Sequence, residues 1–201
     1  IFSNKNFFTP KKLDKKIIEK VHDKNYVKKL LNLSLNKSEI RRIGFPFNEE
    51  LINREMTIAG GTLECCIKAL DNGISLNIAG GTHHAFSNKG EAFCLLNDQA
   101  IAAQHLINNF NINKILIIDL DVHQGNGTAE IFRNNNKVFT FSMHGKKNYP
   151  FQKMKSDLDI ELLDKTEDKE YLNILNEELN IIFDKIKPEF VFYLSGVDIL
   201  D

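Results

Sequence analysis

The chain has 201 residues, a net charge of −1, 42% hydrophobic residues and 15 phenylalanines. That supplies the core of one domain or most of one, and it excludes the global positive field that draws nucleic acid. Three cysteines in no regular framework argue for a reducing, cytoplasmic setting, and no run approaches the roughly 18 apolar residues of a membrane span.

In chain order, residues 1–10 read as irregular and stop at Pro10. Short amphipathic helices are predicted over 11–21 and 25–33, joined by His22-Asp23-Lys24, with a polar loop over 32–39. Asn48 is placed to cap a helix over 49–58. Gly60-Gly61 interrupts it, and helix resumes over 63–70 with Leu63, Cys66, Ile67 and Leu70 on one face and Gly73 as its stop. Residues 74–79 read as a short apolar strand that ends in Gly80-Gly81-Thr82-His83-His84. The glycine pair permits a close backbone approach or an unusual turn. Two adjacent imidazoles after such a turn are candidates for proton handling. A polar loop over 87–91 leads through Ala92-Phe93-Cys94 to a helix over 97–107; Phe93 by itself reads as core.

The chain is organised around residues 114–128. Ile115 to Ile118 is an apolar run with no helical period, so it reads as a strand buried on both faces. Asp119, Asp121 and His123 follow at a spacing of two, which in extended chain puts them on one side. Charge in such a place needs a partner. Carboxylates with an imidazole suit a divalent cation, zinc first. The competing reading has the two aspartates capping the next helix and His123 buried in a loop. A helix over 127–133 follows, then a buried strand over 138–143 ending at His144-Gly145. Residues 146–163 read as a loop whose length suggests a function. A helix over 167–187 has acids Glu167, Asp168 and Glu170 at its start and Lys185 and Lys187 at its end. Its apolar stripe is Leu172, Leu175, Leu179, Ile182, Phe183 and Ile186. The last strand, 190–194, ends in Ser195-Gly196-Val197-Asp198.

Helices alternating with buried strands predict an α/β, doubly wound, mainly parallel sheet, in which functional groups gather beyond the carboxyl ends of the strands. His83/His84, Asp119/Asp121/His123, His144 and Asp198 all stand at such ends. Asp121, His123 and Asp198 make the three-ligand set of a catalytic zinc with an open position. His83 and His84 can then act as base and acid, with Asp119 and Asn126 as candidates to fix their tautomers. The reaction class is metal-assisted hydrolysis of an amide or ester.

Four runs carry a resemblance: GGTHHAFSNKGEAFCLLND (80–98), IDLDVHQGNGTAEIF (118–132), FSMHGKKNYPF (141–151) and YLSGVD (193–198). Together, in this order, they resemble the zinc-dependent histone deacetylase family, and the Gln124 and Asn126 variants with the NYPF segment are most similar to its class IV-like bacterial members. The resemblance implies a three-layer α-β-α sandwich of the arginase/deacetylase kind. It implies removal of acetyl or other acyl groups from lysine side chains, in a protein, a peptide or an acetylated small amine, with no role for nucleic acid or membrane. An acetylpolyamine hydrolase and a non-catalytic acyl-lysine binder are the alternatives. The zinc ligands (Fe²⁺ being possible) match Asp121, His123 and Asp198. His84 matches the principal base and acid, and His83 the group stabilising charge beside it, with Asn126 and Asp119 as their respective partners. Phe93 matches an aromatic wall of the acyl-lysine tunnel. Asp119, Asp121, His123, Ser142 and Met143 match a structural potassium site. Two departures stand out. Ala92 replaces the family's usual glycine, and the family's carbonyl-polarising tyrosine falls beyond Asp198. A first residue Ile1 and a last residue Asp201 just after a strand-like run predict a single catalytic domain over 1–201 lacking its start and its C-terminal part.

Overall fold

The computed structural model describes residue 3 and residues 6–198, in two compact units, Ile1–His105 and Leu106–Asp201. The irregular stretch predicted over 1–10 lies partly outside the described residues.

Unit one is helical, and side-chain caps set its boundaries. Asp14 accepts from the Lys16 backbone, so helix α1 is only Lys15–Ile18 rather than the whole of 11–21. Asp23 opens α2, Lys24–Leu31. The polar run read as loop instead starts a helix, α3, Lys37–Ile43. Asn36 and Glu39 form a reciprocal capping box there, which satisfies two of the backbone donors a helix start leaves free. Helix α4 runs unbroken over Glu49–Asn72 through Gly60-Gly61. The glycine is there for clearance: a Cβ on Gly60 would stand 1.9 Å from the Lys11 carbonyl oxygen. Helix α5, Asp98–Asn109, leads into unit two.

Residues 74–79 are not a strand; no strand pairs with them among the described residues. Ile74, Leu76 and Ile78 are exposed. Alternating apolar residues form a ladder only where another strand supplies the backbone partners.

In unit two, β1 (Ile115–Asp119), α6 (Asn126–Phe132), β2 (Val138–Gly145), β3 (Leu158–Leu162), α7 (Asp168–Ile186) and β4 (Phe190–Leu194) build a four-stranded sheet. Its order is β3-β2-β1-β4 and every pairing is parallel. All of β1 is buried. Strand β3 lies inside the stretch read as loop; its alternation is half-buried, so the apolar run that marks a central strand is missing. Leu116, Ile118, Leu120, Phe141 and Met143 form a core with Ile182 of α7, joined by Leu175, Leu179 and Ile186. Tyr171 and Ile174 contribute to that face as well, whereas Leu172 and Phe183 of the expected stripe are exposed. The chain proceeds from β1 to β2 and β3 on one side, then returns to place β4 on the other. The order therefore reverses between β1 and β4, the kind of position where open parallel sheets bind ligands.

Candidate active site

The carboxyl ends of β1 and β4 bring three of the expected residues together. One ligand atom each from Asp121, His123 and Asp198 falls within a set spanning no more than 4.8 Å. His123 Nδ1 stands 3.0 Å from Asp121 Oδ1 and 3.1 Å from Asp198 Oδ2. Backbone bonds fix the two loops. Leu120 N donates to Leu194 O at 3.1 Å and Gly145 N to Val122 O at 2.9 Å. His123 N donates to Asp121 Oδ1 at 2.8 Å, and Val122 N to Asp198 Oδ1 at 3.3 Å.

Gly196 makes this closeness possible. A Cβ there would lie 2.5 Å from both Asp121 Cα and Asp121 Oδ2. The sequence offered a signal for it, a glycine two residues before an acid at a strand end, which the reading left unused. The donor set suits a divalent cation: a single Nδ1 proton serves one carboxylate well, whereas a cation at the centre is attracted to all three groups.

Asp119 and Ser142 are register partners on β1 and β2. Both are buried, as is Met143. Asp119 Oδ1 accepts from Asp121 N at 3.1 Å, and Ser142 Oγ lies 2.9 Å from His144 Nδ1. Burial lowers the His144 pKa. Asn126 opens α6 and is buried.

Gln124, named before only as a family variant, is a clamp. Its Nε2 donates to Met154 O and Asp159 Oδ1, both at 2.7 Å, and its Oε1 accepts from Met154 N at 2.8 Å. The loop that carries Asp121 and His123 is thereby bolted to the segment before β3. That segment also brings Tyr149, whose ring centroid is 6.4 Å from that of His123.

In unit one, His83 and His84 are buried, their rings 4.1 Å apart between centroids. The preceding turn is nailed down by Asp98, the first residue of α5, which the sequence reading passed over. Its carboxylate accepts from Gly81 N at 3.1 Å, Thr82 N at 2.9 Å and Thr62 Oγ1 at 2.5 Å. Thr62 in turn accepts from Asn77 Nδ2 at 2.8 Å. Gly80 lets this carboxylate in, since a Cβ there would meet Asp98 Oδ2 at 2.6 Å. Gly81 takes φ +92, open to glycine at little cost. Phe93 is not core: it is 58% exposed.

The model of the histone deacetylase domain matches residues 1–201. The chain belongs to the histone deacetylase family. It is 44% identical to an uncharacterized protein of Picosynechococcus over 95% of this chain and 64% of that one. It is 31% identical to histone deacetylase 2 of Arabidopsis thaliana over 90% of this chain and 49% of that one. It is 29% identical to the acetoin utilization protein AcuC of Staphylococcus aureus over 89% and 51%. The chain thus spans about half to two thirds of the length of these relatives. In structure it is similar to a histone deacetylase homologue from Aquifex aeolicus, with a TM-score of 0.86, 23% identity, and coverage of 99% of this chain and 59% of that one. A homologue solved in complex with SAHA gives 0.85 at 24% identity, over 99% and 59%. These likenesses establish the arginase/deacetylase fold. Among the described residues no helix is long and apolar enough to cross a membrane.

Proposed function

We propose that the protein is a metal-dependent hydrolase that removes acetyl groups from lysine side chains. The observation carrying this reading is the convergence of Asp121, His123 and Asp198 at the reversal of strand order, in a chain of this family. Zinc is the ion the donor set favours, Fe²⁺ being the alternative. When bound, such an ion supplies a Lewis acid and eases deprotonation of a water.

The chain's own residues do the rest in this reading. His84 takes a proton from the attacking water and returns it to the departing amine. His83 stabilises the charge that develops. Asp119 and Asn126 set the tautomers of these two rings. Phe93 lines the path of the acyl-lysine chain. Asp119, Asp121, His123, Ser142 and Met143 would hold a structural potassium ion. The substrate is an acetyl-lysine peptide or protein; that one homologue was solved with SAHA is consistent with such a site.

Release of acetate from an acetyl-lysine peptide, set against an acetylated polyamine, is the test. The peptide should be the better substrate. Its turnover should be abolished by a chelator, restored by zinc, and reduced at least about a hundredfold in His84→Ala. Peptide turnover that survives both chelator and substitution would refute the mechanism.

A further inference from the structure

The turn that carries Phe93 is made of residues unsuited to it. Glu91 and Cys94 exchange both backbone hydrogen bonds at 2.9 Å. The two residues between them, Ala92 and Phe93, have φ of 45° and 66°. A two-residue turn with positive φ at both centres ordinarily takes Asn-Gly or Gly-Gly. A side chain in this region crowds its own backbone, most of all a bulky one. The strained turn is held from outside: Ala92 N donates to Arg42 O at 3.0 Å and Phe93 N to Ile43 O at 2.7 Å, carbonyls at the end of α3. Its product is an aromatic ring displayed to solvent at a fixed place.

That ring has a built seat. Gly44 closes α3 at φ +83, and a Cβ on it would stand 2.8 Å from Phe93 Cε1 and 3.2 Å from Cδ1. Phe45, the next residue, meets Phe93 edge-on, with centroids 5.0 Å apart and planes at 60°. The Arg54 guanidinium stands 5.1 Å from the Phe45 centroid. It is anchored in turn on the buried Glu55 carboxylate at 2.9 Å through Nη2 and 3.1 Å through Nε. A chain of contacts therefore runs from a buried acid, through a cation over a ring face, to the edge of the displayed ring. Each link favours one orientation of the next, since rings prefer edge contacts and cations prefer ring faces.

We propose that Phe45 is the positioning residue that sets the Phe93 ring, and so determines how well the methylene chain of an acyl-lysine is gripped. This rests on the reading of Phe93 as a wall of the substrate path. Phe45 acts through Phe93 and touches no reacting atom, so its loss weakens binding of the chain and spares the chemical step.

The test is steady-state kinetics of the zinc-loaded protein on an acetyl-lysine peptide, for wild type, Phe45→Ala, Phe45→Tyr, Phe93→Ala and the double alanine variant. Phe45→Ala is expected to raise KM about fivefold with kcat within about twofold, the pattern of lost uniform binding. Phe45→Tyr, which keeps the ring edge, should restore KM. The double variant should be no worse than Phe93→Ala alone, because the two act as a unit. If Phe45→Ala melts below the assay temperature, Phe45→Leu, which keeps apolar volume without a ring, and Gly44→Ala, which unseats the ring, carry the same expectation. An unchanged KM in these variants, or a Phe45 effect that adds in full to that of Phe93→Ala, overturns this proposal alone. A Phe93→Ala variant with wild-type KM, or a wild type that leaves the peptide intact, brings down the substrate reading and this proposal with it.

Discussion

Asp98 and Gly196 show what single residues do for the candidate site. Neither is a candidate for chemistry, yet one carboxylate holds the tandem-histidine turn and one missing Cβ lets Asp198 approach Asp121. In Asp98→Asn one acceptor oxygen becomes a donor facing backbone N–H groups. Leaving such buried partners unsatisfied should cost about 1–3 kcal/mol, read as a lower urea midpoint. Gly196→Ala should lower the melting temperature, because its methyl meets the Asp121 backbone, and should weaken zinc binding about 10–100-fold, the scale at which support around a metal site acts. Calorimetric titration measures it, and unchanged affinity would mean that the loop has room the geometry denies. Asp121, His123 and Asp198 were legible as candidates, the first two from their position just past one buried strand and the third from its position past another, and the structure brings the three together. The residues that hold them were not, because a glycine's clearance and a carboxylate's donors come from distant parts of the chain.

Elements were legible in proportion to how far their own residues decide them. Strand β1, helix α7 and strand β4 were read nearly to the residue, since an apolar run or a 3.6-residue stripe bounded by charge and proline is local information. Helix α4 was split in two because Gly60-Gly61 is a local breaker, and its tertiary purpose, passage of the Lys11 carbonyl, is invisible in sequence. Gly60→Ala would gain helix propensity but drive its methyl into that carbonyl. The clash should win by about 1–3 kcal/mol, the usual cost of overpacking. Thermal unfolding decides the sign. Residues 74–79 were misread for the complementary reason: their pattern is that of a strand, but a strand exists only with a neighbour. The 91–94 turn invites the opposite substitution. Ala92→Gly relieves a positive φ and should stabilise the protein by about 1 kcal/mol, seen as a raised melting temperature.

The molecule as a whole should lose stability in mild acid, and His22 is one cause. Its Nε2 accepts the Asn97 backbone N–H at 3.0 Å, so Nδ1 carries the proton toward Phe86 O at 2.9 Å and the ring is neutral. Burial lowers its pKa from 6.5 to about 4. The unfolded chain therefore takes up a proton near pH 6.5 that the folded chain refuses until about pH 4. Stability from this group is complete above pH 6.5 and is lost progressively down to about pH 4, by up to about 3 kcal/mol. The slope of the urea midpoint against pH in that window should flatten in His22→Gln. Family membership and fold were legible from four short motifs, three of which lie at the ends of β1, β2 and β4 where a parallel sheet gathers its chemistry, while the fourth, 80–98, follows no strand among the described residues. The claim on which the rest turns is that Asp121, His123 and Asp198 form one cation site. Zinc titrated into chelator-treated protein, followed by calorimetry and metal analysis, should give about one tightly held ion per chain. That binding should vanish in Asp198→Ala while the circular dichroism stays that of the wild type. Stoichiometric binding that survives in Asp198→Ala, or no tight binding by the wild type, would contradict it.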